Sequence, residues 1–387
     1  MIMKVLIVRT FPDILNLNTY NVQEIGLAKA LTCKGIECGV VFFNGKNQDK
    51  TEIFYFEKKG IRYSFKVYWL KGFGFFKNGF MFSVYKLINK YDVIQVHEYD
   101  QIFSWMLYTK MKKPTVIYHG PYYHEYAKGY NLKCKVFDIL FLRWRSYNRV
   151  VALAKSELAS QFLIKKGFRF VHTVGVGVDQ DKFIINDEKI NCLLKKEDKR
   201  IRLLYVGKIE ARRNIYFLVE LFEKIQEKYN QLDLVIVGDG EPEYTKYFQE
   251  RINKWVTMGR IKYFPKASQK ELSLIYQNSD VFVFTSNYEI FGMVLLEALY
   301  FGLPVISSAN GGASVLIREG ENGFILDNFN TSEWEKRIEY ILKDKKRYKE
   351  MKEAAHNLVE NHFLWDKLAD KFIDGYEEAV KLFEDKF

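Results

Sequence analysis

Short runs of β-branched and apolar residues alternate along this chain with longer stretches in which apolar positions recur every three or four residues. Runs of the first kind predict strands buried on both faces, and stretches of the second kind predict amphipathic helices. Candidate strands are residues 4–8, 38–43, 93–96, 115–118, 149–153 and 171–174, followed by 202–206, 232–237, 261–264, 281–284, 304–307 and 323–326. Between them, 23–34 carries Ile25, Ala28 and Leu31 on one face, and 215–228 carries Leu218, Leu221, Phe222 and Ile225. Strands alternating with helices imply parallel sheets covered on both sides, an α/β chain.

The alternation restarts near residue 200. Just before it, 186-NDEKINCLLKKEDKRIR-202 is charged and poor in apolar residues, which reads as an interdomain connection. Two doubly wound, Rossmann-like domains are therefore expected, one over 1–185 and one over 200–362. Ligands of such sheets bind beyond the carboxyl ends of the strands, so the expected site is a cleft between two facing domains. The last segment, 363–387, has a helical pattern with Leu368, Phe372, Tyr376 and Leu382, and is expected to pack back on the first domain.

Composition narrows the picture. The chain has 387 residues, 48% hydrophobic and 28% charged, ordinary values for a folded protein of about two domains. No apolar run reaches the ~18 residues of a membrane span, and the opening MIMKVLIVRTFPD reads as a buried strand rather than a secretory leader. The four cysteines, Cys33, Cys38, Cys134 and Cys192, form no CxxC pair and have no histidine cluster beside them. Reduced thiols in a cytoplasmic protein are expected, with no zinc site. The formal charge of +11 is uneven. Residues 1–175 hold 27 Lys and Arg against 12 Asp and Glu, while 176–387 hold 32 against 36. A basic first half suggests a polyanionic partner, a membrane surface or a nucleic acid.

The stretch richest in chemistry is 280-DVFVFTSNYEIFGMVLLEALYFGLPVISS-308. A strand leads into a polar loop, Gly292 opens a helix, and Gly302-Leu303-Pro304 closes it. Unpaired N–H groups and the positive end of the helix dipole make such a start an anion site, and Gly292 lets a phosphate approach closely. Glu289 in the loop and Glu297 in the helix are placed to border one pocket. Carboxylates beside an anion repel it, so their expected work is on hydroxyls, as on ribose and sugar rings.

The pattern Glu289-x7-Glu297, with Phe291-Gly292 and the Glu-Ala-Leu-x-x-Gly-Leu-Pro-Val run, resembles retaining glycosyltransferases of family 4, which have the GT-B fold. Supporting matches span nearly the whole chain. In 203-LLYVGKIEARRN-214, Lys208 and Arg213 fall where that family has an Arg and a Lys on the donor pyrophosphate, with the two residue types exchanged. Arg212 is an adjacent alternative. The run 232-LDLVIVGDGEPEY-244 resembles the family's next strand and turn, and lacks the third glycine of a dinucleotide fingerprint. Pro265-Lys266-Ala267 lies where the family's backbone meets the nucleotide base. In the first half, 115-TVIYHGPYY-123 resembles the family strand ending in His-Gly, which implies that His119 contacts the donor sugar. His97, in a second matching strand, reads equally well as structural. The turn 175-GVGVD-179 resembles the family's link toward the second domain, with Gly177 on a tight backbone path.

The resemblance thus implies catalytic roles for Lys208, Arg213, Glu289 and His119. It implies donor binding by Glu297, Gly292, Phe291, Met293, Gly207, Arg212 and Lys266. One departure stands out: the family's Gly-Gly loop before the first helix is here Asn18 and Thr19. Either their side chains replace the lost backbone contacts to the donor, or the loop serves the acceptor.

Finally, 71-KGFGFFKNGFMFSVYKLINKY-91 interleaves Phe73, Phe75, Phe76, Phe80 and Phe82 with Lys71, Lys77, Lys86 and Lys90. Two readings stand side by side: a loop and helix facing an anionic membrane, or a core helix with a solvated basic side. No nucleic-acid module is recognisable, and none is expected as a partner.

The resemblance implies transfer of a sugar from a nucleotide-diphosphate donor, UDP- or GDP-linked, with retention and without a metal or other cofactor. The acceptor expected is a saccharide or polyprenyl-linked saccharide in surface polysaccharide assembly. The basic first half suits a cytoplasmic enzyme peripheral at the inner membrane face. Two other kinds of reading remain: another reaction on the same fold, such as nucleotide-sugar epimerisation or phosphorolysis, and a non-catalytic nucleotide-sugar or glycan-binding protein.

Overall fold

Strand β1 (Lys4–Val8) is apolar on both faces, and Val5, Leu6, Ile7 and Val8 have no exposed surface. In the computed structural model, which describes residues 2–17, 22–110, 112–142, 149–183 and 200–385, it lies inside an eight-stranded sheet. The chain parts into two units, Met1–Val178 with Leu364–Phe387, and Asp179–Phe363.

In the first unit β1 pairs in parallel with β2 (Glu37–Phe43) on one side and β7 (Val93–His97) on the other. Beyond β2 come β4 (Ile61–Leu70) and β3 (Lys50–Lys58). Beyond β7 come β8 (Thr115–His119), β9 (Val151–Ala154) and β10 (Phe170–Thr173). The β3–β4 hairpin is the antiparallel part, turning at Lys59 and Gly60, both with positive φ. A separate hairpin joins β5 (Phe73–Phe75) to β6 (Asn78–Phe80). The run 71–91 is a β-hairpin, a single 3₁₀ turn and a four-residue helix, α2 (Tyr85–Ile88), rather than one core helix. Covering helices are α1 (Gln23–Cys33), α3 (Ile102–Lys110), α4 (Lys128–Phe141) and α5 (Glu157–Lys165).

The second unit is a six-stranded, all-parallel sheet in the order β13 (Ile261–Phe264), β12 (Leu232–Val237), β11 (Ile201–Val206), β14 (Val281–Phe284), β15 (Val305–Ser308) and β16 (Gly323–Leu326). Its helices are α6 (Ile215–Gln226), α7 (Pro242–Thr257), α8 (Gln269–Gln277), α9 (Met293–Tyr300), α10 (Ala313–Leu316), α11 (Thr331–Lys343) and α12 (Lys345–His362). The chain runs outward from β11 to β13, then returns to β14 and runs outward on the other side. Order reverses between β11 and β14, the place where open α/β sheets leave a crevice at their carboxyl edge.

The last helix, α13 (Trp365–Glu384), packs on the first unit. Trp365 explains two glycines: a Cβ at Gly26 or Gly177 would lie 2.2 or 2.3 Å from its ring atoms. Tyr376, fully buried, donates to Gln95 Oε1 at 2.6 Å, and Lys58 pairs with Asp366. The chain passes from the first unit to the second at Val178–Asp179. The charged stretch 186–199 lies outside the described residues, as does Cys192. Cys33, Cys38 and Cys134 are free thiols.

Candidate functional site

The chemistry-bearing residues of the second unit gather at the reversal point. Strand β11 ends at Val206, and Gly207-Lys208 follows. Lys208 is exposed, with its carbonyl accepting from the buried Tyr205 hydroxyl at 3.1 Å. A single 3₁₀ turn, Ala211–Arg213, then reaches Asn214, whose φ of 48° starts α6. Strand β14, on the other side, ends at Phe284 and gives the loop from Thr285 to Glu289. The two loops are laced together. Thr285 donates to the Arg213 carbonyl at 2.7 Å, the Asn287 N–H donates to the Arg212 carbonyl at 2.9 Å, and Arg212 Nη1 donates to the Tyr288 carbonyl at 2.6 Å.

Arg213 is the hub of this lacing. Its guanidinium pairs with the Glu289 carboxylate, reaches Ser286 Oγ at 3.4 Å and sits over the Phe284 ring at 5.3 Å. Glu210 stands 3.6 Å from its Nε and 2.7 Å from Arg212. Two arginines, two glutamates and the exposed Lys208 thus share one loop pair, a net positive group at a sheet's carboxyl edge.

Gly292 has φ +73° and starts α9; an added Cβ there would meet Glu289 Cγ at 3.1 Å, so the side-chain-free residue keeps Glu289 close to the helix start. The first N–H groups of the helix, at Met293 and Val294, have no carbonyl one turn earlier, which makes this end ready for an anion. Phe291 is buried with its ring 6.1 Å from the Phe363 ring. Glu297, one turn further on, is 3% exposed and accepts a 3.0 Å hydrogen bond from Tyr276 on α8. Glu289 and Glu297 are thus held by different partners. Lys266, after β13, is exposed.

Gly238 and Gly240 find their reason in packing. A Cβ at either would lie 1.9 Å from the carbonyl oxygen of Gly207 or Ile209. These glycines press the loop after β12 against the loop after β11; no dinucleotide fingerprint is needed to account for them.

In the first unit, β8 ends at the fully buried His119. Its Nδ1 lies 2.5 Å from Glu98 Oε2, and Glu98 also accepts from the Gly120 N–H at 3.2 Å and has Lys155 at 3.9 Å. Glu98 follows β7 directly with φ +59°, a left-handed conformation that costs a non-glycine residue about 1–2 kcal/mol. Burial works to raise its pKa; the His119 ring, Lys155 and the Gly120 N–H win, and bring it down to about 2. The sequence offers no signal for Glu98 beyond its place at a strand end. Asn18 and Thr19 lie outside the described residues.

Glu98, Asp100 and His119 form, among the described residues, the one group whose ligand atoms, all within 4.8 Å of one another, could hold a metal ion. Its charge is already balanced: Lys133 stands 2.7 Å from Asp100 and Lys155 stands beside Glu98. A divalent cation would have to enter against two ammonium groups, so the donor set fits a metal poorly.

Comparison with known proteins places these features in context. Residues 25–182 match the family described as Glycosyltransferase Family 4, and residues 186–358 match Glycosyl transferases group 1. Among curated relatives, a probable sucrose-phosphate synthase of Thermosipho melanesiensis is 29% identical over 184 residues, 46% of this chain and 42% of that protein. The match therefore spans less than half of that relative's length. Among solved structures, sucrose-phosphate synthase of Thermosynechococcus elongatus superposes with a TM-score of 0.74 at 16% identity, covering 98% of this chain and 99% of that one. Anabaena HepE, solved in complex with UDP, gives 0.70 at 15% identity, covering 97% of this chain and 100% of that one.

Proposed function

The chain belongs to the glycosyl transferases of group 1, family 4 glycosyltransferases of GT-B fold, and we propose that it moves a sugar from a nucleoside-diphosphate donor to an acceptor hydroxyl with retention. The donor is a UDP- or GDP-sugar. The acceptor is a saccharide or polyprenyl-linked saccharide used in surface polysaccharide assembly.

The observation that carries this reading is the Arg213–Glu289 pair, set beside exposed Lys208 and the start of α9. In the transfer the bond from the anomeric carbon to the β-phosphate oxygen breaks, and a bond to the acceptor oxygen forms. The acceptor proton leaves with the diphosphate. Negative charge grows on that leaving oxygen, and preorganised cations and N–H groups aimed at it lower the barrier. Lys208, Arg213 and the N–H groups after Gly292 take this role, with Arg212 and Gly207 lining the same loops. Glu289 takes the sugar hydroxyls and Glu297 the ribose. Met293 and Lys266 line the donor's path, as does the main chain of Phe291. His119, with Glu98 on its Nδ1, keeps Nε2 for a sugar hydroxyl.

In this reading no metal is needed, because Lys208 and Arg213 supply the positive charge at the leaving diphosphate. HepE, a fold neighbour, is solved with UDP, which supports a nucleoside-diphosphate donor. The test is a thermal-shift screen of UDP-, GDP-, ADP- and CMP-sugars, followed by diphosphate release after treatment with EDTA. A selective donor raises the melting temperature by mass action. The reading fails if no nucleotide sugar does so, or if Lys208→Ala and Glu297→Ala turn over as the parent does.

A further inference from the structure

Helix α4 is folded with its polarity inverted. Two of its four charged side chains turn inward: Lys133 to Asp100 at 2.7 Å, and Asp138 to Lys166 and, at 3.1 Å, to the Tyr99 hydroxyl. Cys134 and Phe137 fill the rest of the inner face. The aliphatic residues Leu132, Val136, Ile139 and Leu140 point outward, 49–65% exposed. Lys128 and Lys135, also exposed, share that outer stripe at helical spacing. A surface helix of a globular protein normally has the opposite arrangement.

A second exposed apolar element lies across α3. Phe103 of α3 packs on Phe80 and Phe82 at 5.6 and 5.8 Å, which anchors the β5–β6 hairpin, while Trp105 packs on Phe141 of α4 at 4.8 Å. At the hairpin tip Phe75 and Phe76 are 55% and 76% exposed. The two turn residues, Phe76 and Lys77, both have positive φ, a conformation that hairpins usually give to Asn-Gly. Phe and Lys there accept backbone strain while their side chains gain nothing from the core.

We propose that the outer face of α4 and the tip of the β5–β6 hairpin dock this protein on an anionic lipid bilayer. The aliphatics and phenylalanines enter the interface between headgroups and acyl chains, and the lysines beside them meet anionic headgroups. The excess of 15 positive charges in residues 1–175 provides the long-range attraction. A helix of 14 residues lies in the interface rather than spanning it. A second copy of the chain fits less well, because a contact between two such stripes brings their lysines together while the helix's one acidic residue, Asp138, is turned inward to Lys166. The inference goes beyond sugar transfer and holds whatever the acceptor is.

The test is flotation of the full chain with vesicles of phosphatidylcholine alone and of phosphatidylcholine mixed with phosphatidylglycerol. The expected result is binding to the mixed vesicles, weakened by salt, and little binding to the neutral ones. Leu132→Glu with Ile139→Glu is expected to lower that binding by about tenfold or more, and Phe75→Ser with Phe76→Ser by severalfold. These side chains are exposed, so circular dichroism, the melting temperature and the shift produced by a donor nucleotide should match the parent. That last readout separates a failure of docking from a failure of the transferase reading. The proposal is overturned if the parent binds both vesicles equally or neither, or if both double variants bind as the parent does. It is also overturned if sedimentation velocity shows a dimer that Leu132→Glu dissolves.

Discussion

Arg213 hydrogen-bonds Glu289 across 76 residues of sequence, joining the loop after β11 to the loop after β14 at the point where strand order reverses. Arg213 is thus already occupied by a carboxylate, and if it meets the donor diphosphate as proposed, donor binding exchanges one anion for another. Removing Arg213 takes away the cation proposed for the leaving group and leaves Glu289 and Glu210 with less compensation. Arg213→Ala is expected to lower kcat by about 10²–10³-fold. Steady-state diphosphate release measures it, and a kcat within about threefold of the parent sinks the assignment.

Glu297 and Tyr276 form the second test. The hydroxyl holds a buried carboxylate from the neighbouring helix at 3.0 Å. Tyr276→Phe removes a donor to a charged group, worth about 1.5–3 kcal/mol. If Glu297 meets the ribose, nucleotide affinity falls by about tenfold as the carboxylate loses its orientation. Calorimetric titration with UDP and GDP reads this; unchanged affinity together with lower folding stability would make the pair purely structural.

Acid sensitivity follows from two neighbouring buried groups. Burial lowers the His97 pKa to about 4, with Glu24 and Glu98 opposing and Lys155 and Arg9 assisting. Between pH about 6.5 and about 4 the unfolded chain takes up a proton that the folded chain refuses, so stability falls as pH falls. Glu98, depressed to about 2, adds a further loss between about 4.5 and 2. The His97 contribution reaches about 3 kcal/mol at most. Melting curves from pH 7 to 4 should slope downward, and His97→Gln should flatten the upper part; a parent curve flat over that range contradicts the assignment.

Packing of the last helix can be tested apart from catalysis. Trp365 fills the space left by Gly26 and Gly177. Trp365→Ala is expected to cost about 3–5 kcal/mol, and Gly177→Val to force the ring out at a cost of about 1–3 kcal/mol. Urea unfolding followed by fluorescence reads both. The pair in one chain should cost less than the sum, because loss of the Trp365 ring removes what the new side chain at Gly177 would crowd.

Most of the parallel core was legible because strands buried on both faces are continuous apolar runs, and strands such as 232–237, 261–264 and 281–284 match in full. The β3–β4 hairpin escaped because β3, at the sheet edge, alternates exposed and half-buried positions and β4 is buried only in its later part, although Lys59-Gly60 marks its turn. Helix α4 was opaque for another reason. Periodicity finds an apolar stripe but not which way it faces, and here Asp100 and Lys166 draw the polar stripe inward. At the site, the spacing of Glu289, Gly292 and Glu297 could be read directly. The partners Tyr276 and Glu98 could not, because each reaches its glutamate or histidine only through the fold.

The return of α13 to the first unit has a consequence for how the chain is made. Residues 1–178 leave the ribosome some 185 residues before Trp365 does. At roughly 5–20 residues per second, that is on the order of ten seconds or more of synthesis. Throughout it the surface around Gly26, Gly177 and Gln95 has no cover from α13. The early half of the chain is then the part most in need of a chaperone during synthesis, and the last helix acts as its late-arriving clasp.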